Sequence, residues 1–261
     1  KIILRQSMKL TLIGNGIMAQ SLAIGLVKEH EVEMIGRELN KLKLIKEKIP
    51  ELQIKELSDK EDISGKNIIF CVKPYALESV SIRLVGTANS LISILAGTKL
   101  DYLRKQISAK HYARTMPNIA ASVQNCMTTA TGDIEIKNLT LEAFGSIGEA
   151  IWVNNENQLD IASAITASGP AFLALVAEAI ADGAVKVGLE RHLAQHLVQG
   201  LFSGTSSLLK HSHSAIIKDS VMSPGGTTAA GYAKLEEGRV RDAFIKAIEG
   251  SFQKSQNIAQ K

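Results

Sequence analysis

Apolar positions open the chain as a short run, LTLI over 10–13, which stops at a glycine turn and resumes as an Ala/Leu/Ile-rich stretch over 16–28. The run has the length of a strand, and the proline-free stretch behind it has room for three turns of helix. A second apolar run over 31–35 completes a strand–helix–strand unit, and the right-handed crossover rule makes the sheet parallel. The alternation continues with a helix predicted over 38–48, a short strand at Gln53 and Ile54, and a short helix or turn over 59–63. NIIFCV, over 67–72, is continuous apolar sequence of the kind buried on both faces of a parallel sheet. Further strands are predicted over 91–95 and 111–115. After Trp152-Val153 the polar run Asn154-Asn155-Glu156-Asn157 marks a boundary, and everything beyond it reads as helix: 171–187, 191–210, 214–221, 227–237 and 240–258. The pattern predicts a doubly wound α/β domain over 8–154 and an all-α domain over 155–261.

The first turn reads Gly14-x-Gly16-x-x-Ala19. In such a unit Gly14 permits the sharp turn, Gly16 lets backbone approach a pyrophosphate, and Ala19 lets the helix lie close on the strand. The helix start offers unpaired N–H groups and a positive dipole end, so the motif predicts a Rossmann-type dinucleotide site. An NAD-binding unit places a carboxylate at the end of the second strand, where this chain has Gly36-Arg37. An arginine there can fork onto a 2′-phosphate, which favours NADPH over NADH while leaving NADH open, and Glu38 stands close by. Lys73, at a strand end followed by Pro74, is placed to meet cofactor or substrate, although a solvated lysine would also fit there.

Composition narrows the reading further. With 261 residues, 45% apolar and 4% aromatic, the chain can bury one large or two ordinary cores lined by Ala, Leu, Ile and Val. A net charge of +4 and a lysine run at 41, 43, 46 and 48 without aromatics read as a solvated helix face, with no nucleic-acid partner. Cys71 and Cys126 are too few for a disulfide framework, and a cytoplasmic home is expected. The apolar stretch 162–189 carries Glu178, Asp182 and Lys186, so it is expected to be a buried helix and no membrane span. A helix apolar around most of its girth in so small a domain predicts a second subunit. His192 and His196 have metal-ligand spacing but lack a third ligand, and no metal is expected. Lys1 to Ser7 precede a Met8 that would make a natural start, and they are set aside.

One more segment carries chemistry. Ser223-Pro224-Gly225-Gly226-Thr227-Thr228 puts two glycines and two hydroxyls at a helix start, an anion nest able to hold a carboxylate, or else an ordinary cap. Val72-Lys73-Pro74, Ser93 to Gly97 (SILAG) and Arg114-x-Met116-Pro117-Asn118, in order behind the glycine turn, resemble the pyrroline-5-carboxylate reductase family. Ser168-Gly169-Pro170-Ala171 and SPGGTT, with Lys218-Asp219 before it and Leu235-Glu236 behind, extend the resemblance from about Lys9 to about Gly238. Ile17, Thr166-Ala167 and Phe172 depart from the family's usual residues.

The resemblance implies NAD(P)H-dependent reduction of L-1-pyrroline-5-carboxylate to L-proline, the last step of proline synthesis. It implies cofactor contacts from Gly14, Asn15, Gly16, Ile17 and Met18, from Arg37, from Val72, Lys73 and Pro74, and from Ala96 and Gly97, with Asn118 nearby. It implies a substrate site at Ser223, Gly225, Gly226, Thr227 and Thr228, with Thr228 in the catalytic role on the ring nitrogen. It also implies a homodimer or a ring of dimers such as a decamer, in which helical domains interlock and share sites. Two rivals stay open. A 3-hydroxyisobutyrate-type dehydrogenase would need a lysine on the interdomain helix, and 171–180 has none. A non-enzymatic NADP sensor would not need the SPGGTT nest.

Overall fold

The computed structural model describes residues 7–259. Lys1 to Gln6, set aside above, lie outside the described residues. The chain divides into two compact units, one made of residues up to Ser168 together with the segment from Ser251, the other Gly169–Gly250.

The first unit opens as expected. Strand β1 (Lys9–Ile13), helix α1 (Ile17–Leu26), β2 (Glu31–Gly36), α2 (Leu39–Lys48) and β3 (Gln53–Glu56) follow in order. Then come β4 (Glu61–Asp62), β5 (Asn67–Phe70), a 3-10 turn over Pro74–Ala76, α3 (Leu77–Ser81), β6 (Leu84–Val85), β7 (Ala88–Ser93), α4 (Leu100–Gln106) and β8 (Ala109–Met116). The unit closes with β9 (Cys126–Gly132), α5 (Lys137–Gly145), β10 (Gly148–Trp152) and α6 (Glu156–Thr166). Eight strands form one sheet in the order β10-β9-β8-β7-β5-β1-β2-β3. Alternate residues point to opposite faces, and each face has its own core. Leu10 and Leu12 of β1 pack with Ala19, Leu22, Leu42 and Phe144 on one side, while Ile13, Ile68 and Phe70 pack with Leu77, Leu91 and Leu103 on the other. The sheet is therefore doubly wound, as the pattern predicted.

Two features depart from what the pattern predicted. The sheet is not wholly parallel: β8 and β9 are antiparallel, and β10 runs parallel to β9. CMTTATG and GEAIW carry few aliphatic residues, so their strand character comes from pairing and not from an apolar run. The expected helix or turn over 59–63 is a turn at 59–60 that runs straight into β4, which pairs with β6 through the Glu61 N–H to the Arg83 carbonyl at 2.7 Å and the Ile63 N–H to the Val85 carbonyl at 2.9 Å. By packing alone, the first unit extends through Ser168, beyond the polar run at 154–157. Helix α6 rests on β8 and β9, and its Asn155 cap accepts from the Gln158 N–H at 2.9 Å.

The second unit holds α7 (Gly169–Lys186), α8 (Arg191–Leu209), α9 (Ser214–Ser220), α10 (Thr227–Glu237) and the start of α11 (Val240–Ala259). Its interior is small: Ala181, Ala194 and Val198, with Ala177, Val185 and Phe202 against them. Leu173, Leu175, Leu197, Leu201, Ile216 and Leu235 are all more than half exposed. The expected burial of α7 is thus not provided by the chain itself.

Candidate active site

Strand order reverses between β1 and β5, and their carboxyl ends open a cleft of about 230 Å³. Such a switch point is where doubly wound sheets take ligands. Gly14 sits at its floor with φ +119°, donating its N–H to the Ile35 carbonyl at 2.8 Å. A Cβ there would lie 2.8 Å from the Cys71 carbonyl, so the turn needs glycine for both reasons. Gly16 caps α1 with extended backbone and nothing within 4 Å of a would-be Cβ. The first N–H groups of α1 have no capping side chain and no acid beside them, a setting that suits phosphate oxygens.

Of the residues singled out in the sequence, Gly14, Asn15, Gly16, Arg37, Val72 and Lys73 line this one cleft. The side-chain amide of Asn15 packs against Gly36, and its buried Nδ2 has no partner. A donor left open in this place fits an acceptor-rich ligand. Lys41, exposed on the first turn of α2 as expected of a solvated helix face, also lines the cleft, which its lysine run did not mark. Arg37, Lys41 and Lys73 converge there, and no carboxylate is among the lining residues. The residues present therefore fit the phosphates of a dinucleotide. Tyr75, 85% exposed beside Lys73, is a further lining residue that no sequence signal marked. Cys71 is buried, and burial pushes its thiol well above the ordinary cysteine range, so it is no nucleophile.

The remaining expected cofactor residues lie elsewhere. Ile17 is 84% exposed at the start of α1, Met18 packs on the core, and Pro74 opens the 3-10 turn behind Lys73. Ala96 is exposed just beyond β7, with Gly97 following at φ +70°. Asn118 is buried, and both ends of its amide are engaged: Oδ1 accepts from the Ala120 N–H at 3.0 Å, and Nδ2 donates to the Thr166 carbonyl at 3.0 Å.

In the second unit Ser223, Gly225, Thr227 and Thr228 are exposed at the head of α10. Gly225 has φ +70°, the Gly226 N–H turns back to the Ser223 carbonyl at 3.0 Å, and Gly226 caps the helix without a side-chain bond. The opening N–H groups of an eleven-residue helix are thus presented beside two hydroxyls. Farther along α10, Tyr232 donates to Glu236 at 2.6 Å, and Arg241 donates to both, at 2.7 Å to Tyr232 and 2.6 Å to Glu236. Arg241 and the Tyr232 hydroxyl hold the Glu236 carboxyl below the usual glutamate range.

Residues 156–258 match the model of pyrroline-5-carboxylate reductase dimerisation, and residues 9–97 match that of the coenzyme F420-dependent NADP oxidoreductase. The pyrroline-5-carboxylate reductase of Synechocystis sp. is 34% identical over 98% of this chain and all of its own length. The chain belongs to the pyrroline-5-carboxylate reductase family. The Helicobacter pylori reductase, 34% identical, aligns over 94% of this chain and 98% of its own. Among solved structures, the 1-pyrroline-5-carboxylate reductase of Streptococcus pyogenes superposes with a TM-score of 0.84 at 28% identity, covering 95% of this chain and 98% of that one. The Plasmodium falciparum reductase with NADP bound gives 0.80 at 26% identity, covering 96% and 99%. The stretch Glu156–Lys186 is long and apolar enough to cross a membrane by length and composition alone. The dimerisation model covers that stretch, so it falls within the family's dimerisation region.

Proposed function

We propose that this chain is a cytoplasmic NAD(P)H-dependent reductase converting L-1-pyrroline-5-carboxylate to L-proline. The observation that carries the reading is the 34% identity across essentially the whole chain to a protein named for that reaction. It spans both the basic cleft at Gly14 and the nest at Thr228. When bound, the nicotinamide supplies the hydride. The chain's own residues bind and orient, which suffices because a protonated imine is already electrophilic. N–H groups from Gly225 to Thr227 hold the substrate carboxylate, the Thr228 hydroxyl hydrogen-bonds the ring nitrogen, and Asn15, Gly16, Arg37, Lys41 and Lys73 hold the dinucleotide. Following NADPH oxidation by absorbance with pyrroline-5-carboxylate, beside 3-hydroxyisobutyrate with NADP, tests the reading. Turnover of only the second pair, or of neither, overturns it.

The finer preference for NADPH rests on Arg37 and on a cleft without carboxylates. Arg37→Ala is expected to raise KM for NADPH about tenfold, the loss of one charge-assisted contact with Lys41 still in place, and to leave KM for NADH nearly unchanged. Equal effects on both cofactors would refute the assignment.

Assembly as a homodimer or ring of dimers is proposed from the exposed apolar faces of α7 and α8. Ala174, exposed on α7, lies between Leu173 and Leu175, which are 52% and 66% exposed. Ala174→Glu would put an unpaired charge into an apolar contact, so light scattering at micromolar concentration should show smaller particles and lower activity than wild type. A fully active wild-type monomer would count against the assembly.

A further inference from the structure

Behind the turn that follows β7, side chains from three parts of the first unit converge on one buried carboxylate carried by a fourth. Asp160 of α6 accepts from Arg114 of β8 at 2.9 Å, from Lys99 at 2.8 Å and from Gln256 of α11 at 3.3 Å. Glu156, one turn earlier on α6, accepts from Arg114 at 2.7 Å and from the Leu100 N–H at 3.0 Å. The Arg114 and Asp160 side chains are each 1% exposed, and Lys99 is 33% exposed. Ion pairs at this depth are a poor source of stability, because desolvation offsets most of the attraction and apolar residues would fill the same space. Their geometry is nonetheless strict, and it is spent on one turn. Lys99 caps α4 and Leu100 begins it, so the α6 carboxylates grip both a side chain and the backbone directly behind Ala96-Gly97-Thr98. Strand β7 lies parallel to β5, so that turn stands on the same edge of the sheet as the Gly14 cleft.

We propose that Lys99, Glu156 and Asp160 are positioning residues for the reductase reaction, locking the Ala96-Gly97 turn where it bears on the nicotinamide half of the cofactor. This rests on the reductase reading above. The adenosine half, held at Gly16, Arg37 and Lys41, does not depend on them.

The test uses the full-length assembled enzyme and three substitutions: Lys99→Met, Lys99→Arg and Glu156→Ala. For Lys99→Met, kcat should fall about tenfold, the scale expected when a reacting group is misplaced by a fraction of an ångström, while affinity for 2′,5′-ADP stays within about twofold of wild type. Lys99→Arg should restore most of kcat. Glu156→Ala, which removes the acceptor for the Leu100 N–H, should reproduce the Lys99→Met pattern should that variant fail to fold. Folded Lys99→Met with wild-type kcat overturns the proposal, as does a parallel loss of kcat and 2′,5′-ADP affinity, which would report general loosening. A wild-type chain inactive on the imine overturns the reductase reading and this proposal together, whereas activity with an indifferent Lys99 overturns this proposal alone.

Discussion

Thr228→Val is expected to lower turnover about tenfold to a hundredfold while leaving dinucleotide affinity nearly unchanged. The valine keeps the shape and removes the hydroxyl, so the substrate's ring nitrogen loses its partner, a loss of about 1–3 kcal/mol. That nitrogen gains proton and charge character as the imine is reduced, so the contact strengthens toward the transition state and its loss belongs in kcat. Thr227→Val should matter less, because Thr227 acts through its backbone. The competing role is capping, and the structure narrows it: α10 is capped by Gly226 with no side-chain bond. A capping loss would lower stability by about 1 kcal/mol and spare turnover per folded enzyme. Melting temperature and kcat measured on one preparation separate the two, and normal kcat in folded protein removes Thr228 from the chemistry.

Arg114→Met should cost about 3 kcal/mol of stability. The methionine fills much the same volume but leaves the Asp160 carboxylate, 1% exposed, with only Lys99 and Gln256, and breaking a buried pair costs about 3–5 kcal/mol. The lower end applies because those two partners remain and because the buried Arg114 Nε has no partner in the wild type. The double variant Arg114→Met/Asp160→Leu removes both buried charges and should recover at least half of the loss, with Lys99 turned to solvent. Urea midpoints compared at one fixed protein concentration check this, since stability in an assembling chain depends on concentration. Equal losses in the single and double variants would show that the pair does not act as a unit.

Much of the local chain geometry at the candidate site was legible before folding. Gly14, Gly16 and Ala19 could be assigned from spacing because a sharp turn, an open backbone approach and close helix packing are each set within a few residues; the structure places a bare turn, an open Gly16 and a fully buried Ala19 there. The apolar run of β5 announced a strand covered on both faces for the same local reason. Arg37 was expected just past the second strand and stands there, because the end of β2 follows from the strand's length.

Other parts depended on partners far along the chain. Lys41 is a solvated lysine in the structure too, and only the packing of α2 beside β2 shows that it also lines the cleft with Arg37 and Lys73. Strands β9 and β10 lack an apolar signature, and only their pairing with β8 and with each other makes them strands. Asn118 belonged to a recognisable motif, yet its amide holds Thr166, 48 residues away, and Arg114 meets Asp160 across 46. Periodicity, turns and caps are fixed by neighbours within a turn or two of chain, so the sequence by itself determined the doubly wound domain, its glycine turn and the helical half. The sheet's antiparallel edge, the buried ion network and the charges that gather in the cleft are pairings between distant residues, and only tertiary packing decides which of these form.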